Sequence, residues 1–261
     1  MPFIMTKIFQ SAHQALLVIG VALALPVAAS AADTRVAVAT NFTEPSKEIA
    51  AAFQKATGHT ATLVFGASGA FYTQIAHGAP FEVFLSADAD RPKKAEQDGL
   101  TVRGTRFTYA VGRLMLYSTT LGLIDDNGAV LKRGNFNKIA LADPLVAPYG
   151  VAAVQTMQSM NVYSALEPKI VKGSSLTQAY QFSATGAAEL GFVAYSQVIA
   201  VQGGSRWLVP AKLHKPIEQQ AVLLLTGAHN PAALAFVKFM RSPQAVKIIK
   251  RYGYETGRSQ K

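Results

Sequence analysis

Between Leu63 and Phe71 the sequence LVFGASGAF changes its period: an apolar run suited to a buried strand breaks at Gly66 and restarts as a helix at Ser68. So abrupt a turn leaves the first N–H groups of the helix without intrahelical partners and aims them, with the positive end of the helix dipole, at one spot. Such a spot attracts an anion. Ser68 suits the N-cap position and has a hydroxyl for the helix or for a ligand, while Gly66 and Gly69 let the backbone approach closely. A single junction of this kind is equally well an ordinary capped helix start.

The same design recurs along the chain. RVAVA (35–39) predicts a strand that ends at Thr40-Asn41-Phe42, followed by a helix with Pro45 in its first turn and Gly58 at its close. Thr60 to Phe65, Pro80 to Ser86 and Phe107 to Ser118 read as further strands, with Asp88 capping a helix that runs to Gly99. KIALA (138–142) leads through Pro148-Tyr149-Gly150 into a helix, and Lys169 to Lys172 leads through Gly173-Ser174-Ser175 into a helix from Leu176. Glu189 to Ala194, Trp207 to Val209 and Ala221 to Thr226 complete the strands, and helices at Pro231–Met240 and Pro243–Tyr252 end the chain. Strands alternating with helices at this spacing predict an α/β fold with mainly parallel sheets, whose junctions gather at the carboxyl ends of the strands, where ligands bind. No internal sequence repeat is apparent.

Lys7, the apolar run Ala15 to Leu25 and the small residues Ala29-Ser30-Ala31 have the form of a secretory signal peptide over residues 1–31. The apolar run falls short of the roughly 20 residues that span a bilayer. An exported chain without cysteine relies on its core alone and has no thiolate metal site. The net charge of +10 comes from scattered groups such as Lys93-Lys94 and Lys132-Arg133, without the interleaved aromatics of a nucleic-acid platform, and predicts a solvated basic surface. His59, His77 and His214 lie apart beside turn residues, so no cation site is expected.

The segments VAVATNFT (36–43), FGASGAFYTQIAHGAPFEVFLSAD (65–88), LADPLVAPYGVAA (141–153), ELGFVAYSQ (189–197) and RSPQAVKIIKRYGY (241–254), taken in this order, resemble the periplasmic molybdate-binding proteins of ABC uptake systems. The resemblance covers essentially the whole chain after the leader. It implies a two-lobed type II periplasmic binding protein, each lobe a mixed, mainly parallel sheet flanked by helices, with the ligand in the cleft between them. The crossings implied near Val111–Met115 and Gln219–Val222 divide it into lobe I, residues 33–112 plus 221–261, and lobe II, residues 113–220. It implies capture of molybdate or tungstate without a cofactor, delivery as a monomer to an inner-membrane ABC permease, and no enzymatic activity.

The family's ligand positions fall on Asn41, through its amide and its backbone N–H, on Ser68, and on the backbone N–H groups of Tyr149 and Leu176, with Thr40, Ala67 and Ala194 as further candidates. The tyrosine that the family often supplies from the ELGFVA strand is absent here, because Ala194 occupies its position; the Tyr149 phenol is the expected replacement. Molybdate is a dianion without a proton near neutral pH, so neutral donors suit it. Phosphate keeps a proton and favours a carboxylate acceptor, which none of these positions supplies. Sulfate, another oxyanion or a small organic acid is the rival on the same fold. Gly66-Ala67-Ser68-Gly69-Ala70 also comes near the G-x-S-x-G elbow, and Ser68, Asp143 and His229 stand in the order of a hydrolase triad, but Ala70 breaks the motif and no HGGG segment accompanies it.

Overall fold

The computed structural model describes residues 31–256; the predicted leader lies outside the described residues. Two five-stranded sheets carry the chain. The first takes β1 (Asp33–Ala39), β2 (Thr60–Gly66), β3 (Val83–Leu85), β4 (Phe107–Gly112) and β10 (Ile217–Leu223), in the order β2-β1-β3-β10-β4. The second takes β5 (Leu114–Ser118), β6 (Ile139–Ala142), β7 (Ile170–Gly173), β8 (Leu190–Ala194) and β9 (Ser205–Leu208), in the order β7-β6-β8-β5-β9.

In each sheet a single strand, β10 or β5, runs against the rest, and both of these follow a passage of the chain from one sheet to the other. The architecture repeats although the sequence does not. The apolar stretch Phe107 to Ser118, which looks like one strand, is divided at Arg113 between the two sheets. The chain returns between Leu208 and Ile217.

Alternation of side chains builds two cores on the first sheet. Val36, Val38, Val83 and Leu85 pack with Phe42, Phe53, Phe236 and Ile249 on one face, while Ala37, Phe84 and Val222 pack with Phe71 and Ile75 on the other. The second sheet is covered by Tyr149, Ala153, Met157, Leu176 and Ala179 over Leu114, Leu116, Leu141 and Phe192.

Register fixes where the strand ends lie. Pairing of β1 with β2 from Asp33 opposite Thr60 to Ala39 opposite Gly66 sets Thr40-Asn41 beside Ala67-Ser68. Likewise Ala142 opposite Gly173 sets the Ala147–Tyr149 turn and the Ser174–Leu176 turn on adjacent strands. No helix among the described residues is long and apolar enough to cross a membrane.

Candidate functional site

Four helical starts converge on one cavity lined by Ala39, Thr40, Asn41, Gly66, Ala67, Ser68, Ala87, Ala147, Pro148, Tyr149 and Leu176. They are the short helical turn Thr40–Phe42 that runs into the Thr43–Thr57 helix, and the helices Ser68–Ala76, Pro148–Ser159 and Leu176–Ala184. The first two follow strands of the first sheet and the last two follow strands of the second, so the cavity lies between the sheets. None of the lining side chains carries a charge. Charged groups, among them Asp88, Arg91, Lys215 and Glu218, line a neighbouring groove of about 390 Å³ that shares Ala87 and Pro148 with the cavity.

Ser68 is 1 % exposed, and its hydroxyl oxygen accepts the Ala87 N–H at 2.9 Å. Its own hydrogen remains available to a ligand. The structure corrects its expected role as helix cap: Ala67 holds the cap position, in an extended conformation and without a side-chain bond, and Ser68 opens the helix. The helix therefore makes no demand on the Ser68 hydroxyl, and as its first residue Ser68 also has an N–H without an intrahelical partner. Ala67 lines the cavity, and its carbonyl accepts the Phe71 N–H.

Asn41 is placed at the cavity, but not as the sequence suggests. Both hydrogens of its amide are engaged, one by Gln219 Oε1 at 2.8 Å and the other by Tyr254 Oη at 3.1 Å, so the side chain has no donor left for a ligand. What it can still offer is its backbone N–H, in the helical turn Thr40–Phe42. Thr40 lines the same cavity, and its hydroxyl makes no hydrogen bond among the described residues.

Across the cleft, Pro148 occupies the first helical position, where a missing N–H does no harm, and the Tyr149 N–H that follows it, at the helix start, has no intrahelical partner. Ser175 caps the Leu176 helix by accepting the Gln178 N–H, which leaves the Leu176 N–H for the cavity. The Tyr149 phenol, expected to replace the tyrosine missing at Ala194, is buried beneath the cavity and hydrogen-bonded there. Its oxygen accepts Gln219 Nε2 at 3.2 Å and lies so close to Gly112 that any side chain there would overlap it. Ala194 is fully buried outside the cavity lining, and its N–H donates to Gln197 Oε1 at 3.0 Å.

Sequence reasoning missed the buried polar network beneath the cavity. Gln219 Oε1 accepts from Tyr109 Oη at 3.0 Å as well as from Asn41, and Tyr254 Oη donates to the Asn41 carbonyl at 2.6 Å. The long apolar context of Gln219, in IEQQAVLLL, was the one signal that a satisfied polar side chain sits in a core strand. Burial pushes the Tyr254 phenol up to about 12, and burial first, then the neighbouring tyrosines, holds Tyr149 well above its ordinary range; burial does the same for Tyr109.

These phenols lose their protons in the unfolded chain at about pH 10, before they do so in the folded one. Their contribution to stability is therefore intact below pH about 10 and disappears as pH rises toward about 12. Thermal unfolding followed from pH 8 to 12 is expected to show a Tm that falls more steeply above pH 10 than below it, and an equal slope on both sides would contradict the network.

At the lip of the cleft the two halves touch directly. Gly69 N–H donates to the Val146 carbonyl at 3.0 Å, and Arg91 Nη2 donates to the Leu145 carbonyl at 3.1 Å. Ala89, not Asp88 as expected, holds the cap position of the Asp90–Gln97 helix; Asp88, one residue before it, accepts the Arg91 N–H at 3.1 Å, and its other oxygen pairs with the Arg91 guanidinium. Ser68, Asp143 and His229 form no hydrogen-bonded triad: Ser68 meets Ala87, Asp143 accepts the Leu145 N–H, and His229 is exposed. Among the described residues no cluster of three or more His, Cys, Asp or Glu side chains is positioned to hold a metal ion.

Residues 34–255 match the family described as bacterial extracellular solute-binding protein. The chain is 54 % identical over 252 residues to the molybdate-binding protein ModA of Rhodobacter capsulatus, covering 97 % of this chain and 100 % of that protein. It superimposes on the solved periplasmic molybdate-binding protein of Azotobacter vinelandii with a TM-score of 0.82 at 41 % identity, covering 85 % of this chain and 98 % of that one. With two mixed sheets, a cleft cavity between them and this match over nearly its whole described length, the chain belongs to the bacterial extracellular solute-binding protein family.

Proposed function

We propose that this protein captures molybdate, and tungstate by the same chemistry, in the periplasm and hands it to an ABC permease in the inner membrane. The observation that carries this reading is a cavity that offers donors and no charge: the Thr40 and Ser68 hydroxyls and the first N–H groups of four helical starts. Hydrogen bonds to a charged group contribute about 1.5–3 kcal/mol each, so a handful offset much of the cost of stripping water from a dianion. A protonated phosphate would bring a hydrogen that no lining carboxylate accepts. The names of the relatives point the same way.

The donor set is Thr40 and Ser68 through their hydroxyls, and Asn41, Ser68, Tyr149 and Leu176 through their N–H groups. Each sheet with its helices is a lobe, divided near residue 113 and between residues 208 and 217, so that Ile217–Gln220 fall in the first lobe and not, as expected, in the second. The contacts of Gly69 with Val146 and of Arg91 with Leu145 belong to the closed cleft and break on opening. The apolar leader directs export and is removed.

Thermal unfolding with molybdate, tungstate, sulfate, phosphate and small carboxylates tests the reading. A ligand that binds only the folded protein stabilises it by RT ln(1 + [L]/Kd), about 4 kcal/mol at a thousandfold excess over Kd. Molybdate and tungstate are expected to raise Tm by several degrees and sulfate by far less. A larger shift with sulfate than with molybdate would replace the reading.

A further inference from the structure

We infer that Tyr254, near the carboxyl end of the chain, is a positioning residue for the anion site, acting through Asn41 and through the contact between the two sheets. The inference rests on the proposed donor set and adds a residue outside the cavity lining. After the Pro243–Arg251 helix the chain turns at Gly253, with φ of 80°, and its tail pairs with the end of β4. There Val111 N–H donates to the Glu255 carbonyl at 2.6 Å and Glu255 N–H to the Val111 carbonyl at 3.1 Å. This short pairing sits immediately before Gly112 and Arg113, where the chain passes from the first sheet to the second.

The clip delivers the Tyr254 phenol to a single spot. The ring meets Phe42 edge-on at 5.4 Å, and the hydroxyl donates to the Asn41 carbonyl while accepting the Asn41 amide. Ser196, from the short helix Tyr195–Val198 that follows β8 of the second sheet, places its Oγ 2.8 Å from Tyr254 Oη and 2.9 Å from the same Asn41 carbonyl. One phenol thus holds both the main chain and the side chain of the residue whose N–H faces the anion, and joins that residue to the opposite half of the molecule. Within the described residues no charged side chain donates to or accepts from Tyr254, and its remaining neighbours in the network, Gln219, Tyr109 and Tyr149, are neutral at physiological pH. Fixing the Thr40–Phe42 turn in advance removes the ordering cost from binding. Joining the sheets favours the closed arrangement, and affinity follows the population of the competent state.

Tyr254→Phe keeps the ring against Phe42 and removes only the hydroxyl. Two measurements are made on the full chain. In the anion-free variant, amide hydrogen exchange at residues 40–42 is expected to accelerate at least tenfold over wild type, a readout that does not depend on which anion binds. In titration calorimetry with molybdate, Kd is expected to rise about tenfold or more, with faster dissociation. A purely structural tyrosine would lower the Tm of the anion-free protein while leaving the molybdate Kd and the local exchange within twofold of wild type, and that result overturns the inference. If Tyr254→Phe does not fold, Ser196→Ala replaces it, with the same exchange and Kd increases expected at smaller size, and unchanged values overturning it. Failure of the molybdate reading itself is separately visible as absence of binding by the wild-type protein; accelerated exchange in the variant would still support the positioning role, and unchanged exchange would reject it.

Discussion

Ser68→Asp is expected to abolish oxyanion binding while leaving the fold in place. The wild-type hydroxyl oxygen accepts the Ala87 N–H, and a carboxylate oxygen at that position keeps the same acceptor, so the buried N–H is not orphaned. What changes is the sign of the group offered to the ligand: a hydrogen-bond donor becomes a negative charge in a cavity that has no lining cation to offset it. At about 4 Å and an effective dielectric constant near 20, each pair of like unit charges costs about 4 kcal/mol, and a dianion doubles the effect. A loss of affinity beyond about a thousandfold is the result. Ser68→Ala removes the donor without adding the charge and is expected to weaken binding about 10- to 100-fold. Titration calorimetry with molybdate measures both, and unfolding of the anion-free proteins shows that the folds are kept. A Ser68→Asp protein that binds molybdate within tenfold of wild type would remove Ser68 from the site.

The alternation of strands and helices was legible because each junction announces itself locally: Gly66 before Ser68, Pro148 before Tyr149 and Ser175 before Leu176 are turn and cap signals that need no tertiary partner. The division of Phe107 to Ser118 between sheets carries no such local signal, since Ala110, Leu114 and Leu116 are equally apolar on either side of Arg113. The site followed the same rule. Backbone donors at Tyr149 and Leu176 depend on where helices begin, which the sequence displays. The fate of side chains does not: the Asn41 amide is taken by Gln219 and Tyr254, residues 178 and 213 positions away along the chain. The free hydroxyl of Thr40 became visible only by elimination, once the partners of its neighbour were known. The departure at Ala194 had the same origin. The phenol most closely tied to the donor turn comes from Tyr254, behind the turn, whereas sequence reasoning sought a replacement among residues in the cleft.

Gly150→Ala is expected to disturb folding and binding together, which separates it from substitutions that touch the ligand alone. The position of the Tyr149 N–H is set by a helix that begins hard against the end of β6, and Gly150 is what permits the approach. A methyl group there would overlap the Ala142 carbonyl oxygen and lie 2.9 Å from the carbonyl carbon and 3.0 Å from Pro144 N. All of these are backbone atoms of a buried strand end and its turn, so no flexible side chain yields in their place. Alanine otherwise favours a helix over glycine by about 1 kcal/mol, so a destabilised variant identifies the steric overlap as the stronger effect. The overlap is expected to cost about 2–4 kcal/mol, a Tm lower by about 5–15 °C for a chain of this size. Relief comes through a shift of the helix start away from β6, which carries the Tyr149 N–H with it and weakens molybdate binding beyond what lower stability explains. Differential scanning calorimetry with and without molybdate checks both parts: a Tm within 2 °C of wild type, or a full ligand-induced rise on top of a lowered Tm, would show that the helix start is not fixed by this contact.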